Sequence, residues 1–452
     1  MYIMDTTSQI SDSKALIFTS VTSLHDADHL TKEGRLVELR VDLCSLKDLQ
    51  ELLHRPYLPW LLTLRSIAHG GAFTGSLHEQ RSLIQRLANK APFCMDLEYD
   101  LRELISSYPH IRWILSYHAL LLSLQDIHVL YQAMHKYSAW RYKIATTCHT
   151  VTEAITLMRK KPIDLSLICM GAAYTFTRIW ALTMPGMLHF VKHNTETALG
   201  QLSWEDLALY QHIFEKPHTK LYGLIGDPIL KSPGHLYHNK LFADRHLDAL
   251  YVKIPLPSKE LASFLIEALA LPFYGLSVTM PLKEEITKYI PSTYGALNTL
   301  VYKQGHFIGY NTDGLGALYA IQEHLLPRQI VILGTGGTAK ALGYMAIEQG
   351  IEVFFVSRDK KRAKALAKDF MCQGGTIDEA PPHYDVIINT SPEFPAYLTS
   401  YTMHQNAFAM DVVHTPKMTP FLQNAERQGC KLIFGEVMFR HQAQLQRLLW
   451  NV

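Results

Sequence analysis

Lys143 lies inside an apolar run, RYKIATT (141 to 147), and His118 closes the run before it, RWILSYH (112 to 118). An amine held among apolar and arginine side chains loses hydration and feels like charge. Both effects push it toward the neutral, nucleophilic form that condenses with a ketone to an imine. A neighbouring imidazole can act as general acid and base. Glu38, Arg40, Arg65, Asp96, Glu98 and Arg178 also sit late in, or just after, such runs. Three of them are arginines, suited to a carboxylate substrate. Taken alone, Lys143 reads as a snorkelling surface lysine and His118 as a hydrogen-bonded structural histidine; together with the arginines they read as a catalytic set.

A second set lies downstream. GLSVTMPLK brings Thr279 and Lys283 to the end of a strand, and GYNTDG places Asp313 in a turn that leads into a helix. Hydride delivery to a ketone creates an alkoxide, so an ammonium that can give up a proton, kept charged by a carboxylate, is the pair required. The bland alternative is a surface ion pair between two loops. On the same part of the chain, QIVILGTGGTAKA sets Gly334, Gly336 and Ala339 at G-x-G-x-x-A, with Gly337 between them. Glycine lets the backbone turn and approach a pyrophosphate, and the helix that follows presents its positive end. An apolar strand precedes the motif, a helical stretch runs from Lys340 to Gln349, and a second strand, IEVFFV, comes next. That is the context a dinucleotide site needs. Where an NAD site would place an acid after the second strand, this chain has Ser357, Arg358, Lys360, Lys361 and Arg362, which favours a 2′-phosphate and hence NADP.

The elements that must position these groups follow from periodicity. The first half holds eight short apolar runs: 15 to 21, 36 to 43, 60 to 66, 93 to 99, 112 to 118, 141 to 147, 165 to 171 and 188 to 194. Helix-like stretches such as LHEQRSLIQRLANK separate most of them, which predicts a compact (β/α)8 barrel, with a doubly wound sheet as the alternative. In a barrel, the C-terminal ends of the strands are where active sites form. A final helix and a linker occupy Ser203 to Lys220, and a second unit begins at Leu221.

Composition narrows the function classes. The chain has 452 residues, 48% hydrophobic and 19% charged, which suits two or three globular domains. Forty-three basic residues against 41 acidic ones leave a net charge of +2, with no general attraction to nucleic acid or an anionic membrane. Six cysteines are scattered without a C-x-x-C pair, and 23 histidines show no ligand spacing, so no metal site is expected. The start lacks a signal-peptide pattern, and no stretch approaches the ~20 apolar residues of a membrane span, which predicts a cytoplasmic enzyme of small molecules.

Across residues 13 to 205 the pieces ELRVD, TLR with Gly70 and Gly71, DLE, SYH, YKIA, MG with Arg178 seven residues on, and TALGQ resemble the type I 3-dehydroquinate dehydratases. The resemblance implies an imine at Lys143. It gives His118 the removal of the neighbouring proton and help with loss of the hydroxyl as water, and Glu38, Arg40, Arg65, Arg178, Thr197 and Gln201 the substrate contacts. Departures are His69 where the family has a glutamate that orients the histidine, Thr197 for serine, and Tyr174 for a glycine; Asp96 or Glu98 is expected to take over the orienting role. Across 221 to 452, GDPI with Ser232 and His238-Asn239, SVTMPLK, GALNTL, GYNTDG, GTGGTAKA, DVIINTSP, DVVHTPKMTP and EVMFRHQ resemble shikimate dehydrogenase. That implies Lys283 and Asp313 as catalytic, Ser232, Thr279, Asn298 and Gln442 as substrate ligands, and NADP as cofactor. Here Gly234 and His235 break the usual S-x-S-P motif, His414 stands for tyrosine and Ser277 for asparagine.

The expectation is thus an α/β chain with a dehydratase barrel at 13–205 and a linker at 206–220. An α/β substrate lobe follows at 221–318 and a Rossmann NADP lobe at 319–434, and a C-terminal helix at 435–452 returns to the substrate lobe. The two resemblances support each other: the first reaction turns 3-dehydroquinate into 3-dehydroshikimate, and the second reduces that to shikimate. Quinate as the second unit's substrate, or a metabolite-sensing regulator on the same folds, are the alternatives; oligomeric state is not read from the sequence.

Overall fold

The computed structural model describes residues 14–229, 232–271, 273–293, 295–391, 398 and 401–452. The chain forms two compact units. One runs as far as Leu221 and includes His235–Pro255 and the stretch from Ser263; the other holds Tyr222–Gly234, Leu256–Ala262 and the chain from Phe273 to Val452. The closing proline of DVIINTSP and the lysine that opens KSPGH lie outside the described residues.

The first unit contains β1 (Leu16–Val21), β2 (Leu36–Arg40), β3 (Leu58–Thr63), β4 (Pro92–Glu98), β5 (Trp113–His118), β6 (Arg141–Thr146), β7 (Leu165–Cys169) and β8 (Leu188–Lys192). They are parallel and follow the order β7-β6-β5-β4-β3-β2-β1-β8, a nearly closed barrel. Side chains alternate across a strand, and here the inward set changes character along the barrel axis. Leu16, Phe18, Leu61, Cys94, Ile114, Leu188 and Phe190 form a dry floor. Four residues beyond Leu61, Cys94 and Ile114 the same faces carry Arg65, Glu98 and His118, and on β2 Arg40 stands four beyond Leu36, which packs against this floor. Serine or threonine caps start the intervening helices: Ser23, Ser45, Ser76, Ser123 and Thr150 each accept a backbone N–H of the first turn.

Residues expected to link the units are themselves folded. Ser203 caps a short helix, Trp204–Ala208, and Tyr210 and Ile213 are buried. Glu215 accepts from the Ala15 amide at 2.6 Å, which anchors this stretch beside the start of β1. The unit also holds β9's first residues and β10 (Ala249–Pro255), β9 being Lys220–Gly226.

In the second unit β9, β11 (Phe273–Val278), β12 (Thr299–Lys303) and β13 (His306–Tyr310) lie side by side in that order, with β11-β12 and β12-β13 antiparallel. A separate parallel sheet follows: β14 (Gln329–Leu333), β15 (Glu352–Val356), β16 (Gln373–Gly375), β17 (Val386–Asn389), β18 (Phe408–Asp411) and β19 (Lys431–Ile433), ordered β16-β15-β14-β17-β18-β19. Its strands are apolar on both faces, as a doubly covered sheet requires. Ile330 and Ile332 pack with Leu318 and Leu342 on one side, while Val331 and Leu333 pack with Phe354 and Phe421 on the other. The order reverses between β14 and β17, the place where such sheets bind ligands. The last helix, Gly435–Trp450, lies against β11 and β12: Ser277 Oγ donates to Gln446 Oε1 (3.1 Å), and Trp450 Nε1 donates to the Leu300 carbonyl (3.0 Å). Among the described residues no helix is long and apolar enough to cross a membrane.

Candidate active sites

At the C-terminal end of the barrel, Lys143 is 4% exposed and its Nζ donates to Asp96 Oδ2 at 2.5 Å. Asp96 also takes Arg65 Nη2 (2.6 Å) and Ser116 Oγ (2.5 Å). Burial works to raise the Asp96 carboxyl, but Arg65, Lys143 and these hydrogen bonds hold it well below the usual range, so it stays a carboxylate. For Lys143 burial is the largest influence and lowers the ammonium's pKa; Asp96 opposes and Arg65 reinforces, with a net fall from 10.5. The expectation of an amine pressed by arginines therefore needs its counter-ion, Asp96, added. The face of Phe190 lies 4.5 Å from the same nitrogen.

His118 is driven far below 6.5 by burial first, then by Arg65, Lys143, His69 and Arg40, which leaves it a neutral imidazole and a base. Its Nδ1 is buried with no hydrogen-bond partner among the described residues. The expected orienting carboxylates do not reach it. Glu98 instead accepts from the Ser66 amide (2.8 Å), Ser66 Oγ (2.9 Å) and Gln80 Nε2 (3.0 Å), with Arg65 at 3.5 Å. Asp96 is committed to Lys143 and Arg65. His69 meets the backbone of His118 and not its ring: His69 Nδ1 lies 3.3 Å from the His118 amide nitrogen and 3.0 Å from its carbonyl oxygen, pairing with one or the other according to its tautomer, and Asp100 sits 3.0 Å from Nε2. Sequence reading marked His69 only as a departure and missed Asp100, which lies in the turn after β4 and carries no periodic signal.

The three arginines divide by role. Arg40 is held by Asp42 at 3.0 and 2.7 Å and donates to the Thr197 carbonyl at 3.0 Å; Arg65 is held by Asp96 and Glu98. Arg178 has only the Leu199 carbonyl on Nη2 (3.1 Å), and its Nε is buried without a partner among the described residues. Burial lowers its pKa to about 10. Glu38 accepts from Ser20 (2.5 Å) and Thr63 (2.7 Å), and Gln201 Oε1 accepts from Thr197 N (2.8 Å) and Oγ1 (3.1 Å). A cleft of about 430 Å³ is lined by Glu38, Arg40, Arg65, His118, Lys143, Arg178, Thr197 and Gln201, while Asp96 and Glu98, also marked from the sequence, lie behind this lining.

In the second unit, Lys283 lies on the short helix Leu282–Glu285 after β11, and Asp313 opens the helix Asp313–Gln322 after β13. Their side chains meet at 2.5 Å. Asn298 Nδ2 donates to Asp313 Oδ1 (2.7 Å) and approaches Gln442 Oε1 at 3.4 Å, which brings the last helix to the same cluster. Ser232 lies before the helix Gly234–Asp244, where its Oγ accepts from the Gly234 amide at 3.4 Å. Thr279 follows β11, and its amide donates to the Ile225 carbonyl at 3.0 Å, which joins the ends of β9 and β11.

The glycine-rich loop fits a dinucleotide. Gly334 has φ +125°, and a Cβ there would stand 2.4 Å from Thr390 Oγ1, so only glycine serves. Gly336 faces open space, with nothing within 4 Å of a Cβ, and Gly337 starts the helix Gly337–Glu348, whose positive N-terminal end suits a pyrophosphate. Ala339 is fully buried where that helix meets β14. Ser357 and Arg358 follow β15, Arg358 is exposed, and Arg362 is 77% exposed with Asp359 no nearer than 3.9 Å. Both guanidiniums are thus open to an anion. No group of three or more potential metal ligands occurs among the described residues.

Models of known families match three stretches: "Type I 3-dehydroquinase" at 16–216, "Shikimate dehydrogenase substrate binding domain" at 224–300, and "NADP oxidoreductase coenzyme F420-dependent" at 329–402. The chain is 31% identical over 439 residues to the shikimate biosynthesis protein AroDE of Chlamydia muridarum, with 93% of this chain and 90% of that one covered. It is 27% identical to the chloroplastic bifunctional 3-dehydroquinate dehydratase/shikimate dehydrogenase of Arabidopsis thaliana, covering 91% of this chain and 76% of that one. A solved shikimate dehydrogenase in complex with NADP+ is 30% identical and covers 52% of this chain and 91% of its own, at a TM-score of 0.48.

Proposed function

The chain belongs to the AroDE family of bifunctional shikimate biosynthesis enzymes, and from that premise we propose which of its residues carry each reaction. It is a type I 3-dehydroquinase and an NADP-dependent shikimate dehydrogenase. The observation that carries the first assignment is Lys143, paired with Asp96 at 2.5 Å, in a cleft that also holds His118, with an unpartnered Nδ1, and Arg178, which makes no salt bridge to a carboxylate among the described residues.

In this reading the substrate carboxylate settles on Arg178, because Arg40 and Arg65 are already neutralised by Asp42, Asp96 and Glu98. Lys143 gives a proton away, attacks the ketone carbon of 3-dehydroquinate, and water leaves as the imine forms. The imine draws electrons from the neighbouring carbon, so His118 can take a proton there; the resulting electron pair expels the hydroxyl, which His118 reprotonates as water. Hydrolysis of the imine releases 3-dehydroshikimate and restores the amine. Glu38, through Ser20 and Thr63, and Gln201, through Thr197, hold fixed polar edges for the ring hydroxyls.

For the second reaction, Gly334, Gly336, Gly337 and Ala339 would hold the pyrophosphate, and Ser357, Arg358 and Arg362 the 2′-phosphate, of a cofactor that supplies hydride when bound. Lys283 donates the proton that the developing alkoxide requires, and Asp313 keeps it charged beforehand. Ser232, Thr279, Asn298 and Gln442 orient the carboxylate and hydroxyls. The substrates are 3-dehydroquinate, 3-dehydroshikimate and shikimate. Borohydride added with 3-dehydroquinate should fix the substrate to Lys143, located by peptide mass, and K143A should lose the label; a label on another lysine sinks the assignment.

A further inference from the structure

The glycine-rich loop meets the proposed proton donor directly. Lys283 Nζ donates to Thr338 Oγ1 at 3.2 Å, and that hydroxyl lies 3.5 Å from Asp313 Oδ2. A threonine hydroxyl has one hydrogen and two lone pairs, so it can accept from the ammonium while giving to the carboxylate. Thr338 stands in the first turn of Gly337–Glu348, immediately after the loop built for a pyrophosphate. Two further features press this helix onto the one that bears Lys283. Lys340 pairs with Glu284 at 2.7 Å, and a Cβ at Gly337 would stand 3.4 Å from the Lys283 Cβ and 3.2 Å from the Ala296 Cβ. The approach is close, fastened by an ion pair beside the hydroxyl contact.

We propose that Thr338 is a positioning residue of the reductase site, its hydroxyl fixing the Lys283 ammonium against Asp313 and tying that pair to the cofactor loop. The inference rests on Lys283 and Asp313 being the proton-donating pair. While Lys283 is charged, the hydroxyl accepts from it. Once the proton has gone to the alkoxide, the neutral amine is an acceptor, and the same hydroxyl can turn its hydrogen from Asp313 to the lysine nitrogen. Lysine thus keeps a partner in both states without moving. The charged groups that face this cluster are Asp313 and, across the two packed helices, Glu284 with Lys340.

T338V removes the hydroxyl at nearly constant shape, and T338S keeps it. In the full-length protein without cofactor, the reactivity of Lys283 toward acetic anhydride can be followed across pH by peptide mass. T338V should shift that curve to lower pH, because the ammonium has lost an acceptor. It should also lower the reductase kcat about tenfold, the scale of one lost hydrogen bond to a charged group. T338S should restore both, and dehydratase turnover should match the parent in each variant, which shows the chain folded. A T338V curve that superimposes on the parent's, or a loss that T338S does not rescue, overturns the proposal. Undiminished reductase turnover in K283A would instead overturn the assignment beneath it.

Discussion

At the scale of single residues, the barrel site depends on one carboxylate, Asp96, which keeps a buried ammonium and a buried guanidinium in place together. The amine must be neutral to attack, so the dehydratase kcat/KM should rise with pH through a limb below the usual lysine value of 10.5, as burial of Lys143 dictates. Asp96 supports the charged form of Lys143. Removing its charge therefore favours the amine, and D96N should move that limb toward acid while lowering kcat, since Lys143 and Arg65 then lose their anchor. A limb that moves toward alkali would contradict the sign. Lys143 and His118 stood out because a titratable side chain inside an apolar run has few places to go, whereas Arg178, on the helix Thr175–Ala181, stood out only through its spacing from the MG before it. What lies against His118 was not legible. Asp96, Glu98 and His118 fall on the same face of their strands, but Glu98 is taken up by Ser66 and by Gln80 of the helix Leu77–Ala88, and His69, after β3, meets only the His118 backbone.

Elements turn these residues into sites by simple means. On β3, β4 and β5 the inward face is apolar at the base and polar at the rim, so one period-two pattern makes both the core and part of the mouth. In the six-stranded parallel sheet the strand order reverses between β14 and β17, where such sheets bind ligands, and the helix Gly337–Glu348 begins just after β14. The end of β15 lies beside this turn, because the Gly334 amide donates to the Val356 carbonyl at 2.9 Å. Arg358 and Arg362 should therefore read the 2′-phosphate. The double change R358S/R362S should raise the KM for NADPH tenfold or more, consistent with about 1.5–3 kcal/mol for a hydrogen bond to a charged group, and leave the KM for NADH nearly unchanged. Equal effects on both cofactors would remove these arginines from the site. The strands and the loop were legible through periodicity and glycine spacing. The stretch at 206–220 read as a linker because its buried residues, Leu207, Tyr210, Ile213 and Thr219, span only a short helix and a single turn, too short a run for periodicity to signal an element.

The chain carries two compact units, and with them one activity that makes an enone and one that consumes it. Each unit has a lysine held by its own aspartate, Lys143 with Asp96 and Lys283 with Asp313, both at 2.5 Å. In the proposed reactions the lysines work in opposite senses. The first must shed its proton to become a nucleophile, and the second must keep it until an alkoxide forms. This separation makes the two activities independently removable, which gives the most direct test of the account. Purified protein supplied with 3-dehydroquinate and NADPH should show enone absorbance rising and then falling as NADPH is oxidised and shikimate accumulates. K283A should stop at the enone with NADPH unspent. K143A should leave both signals flat, yet oxidise NADPH normally when 3-dehydroshikimate is supplied; enone formation by K143A would contradict the central claim.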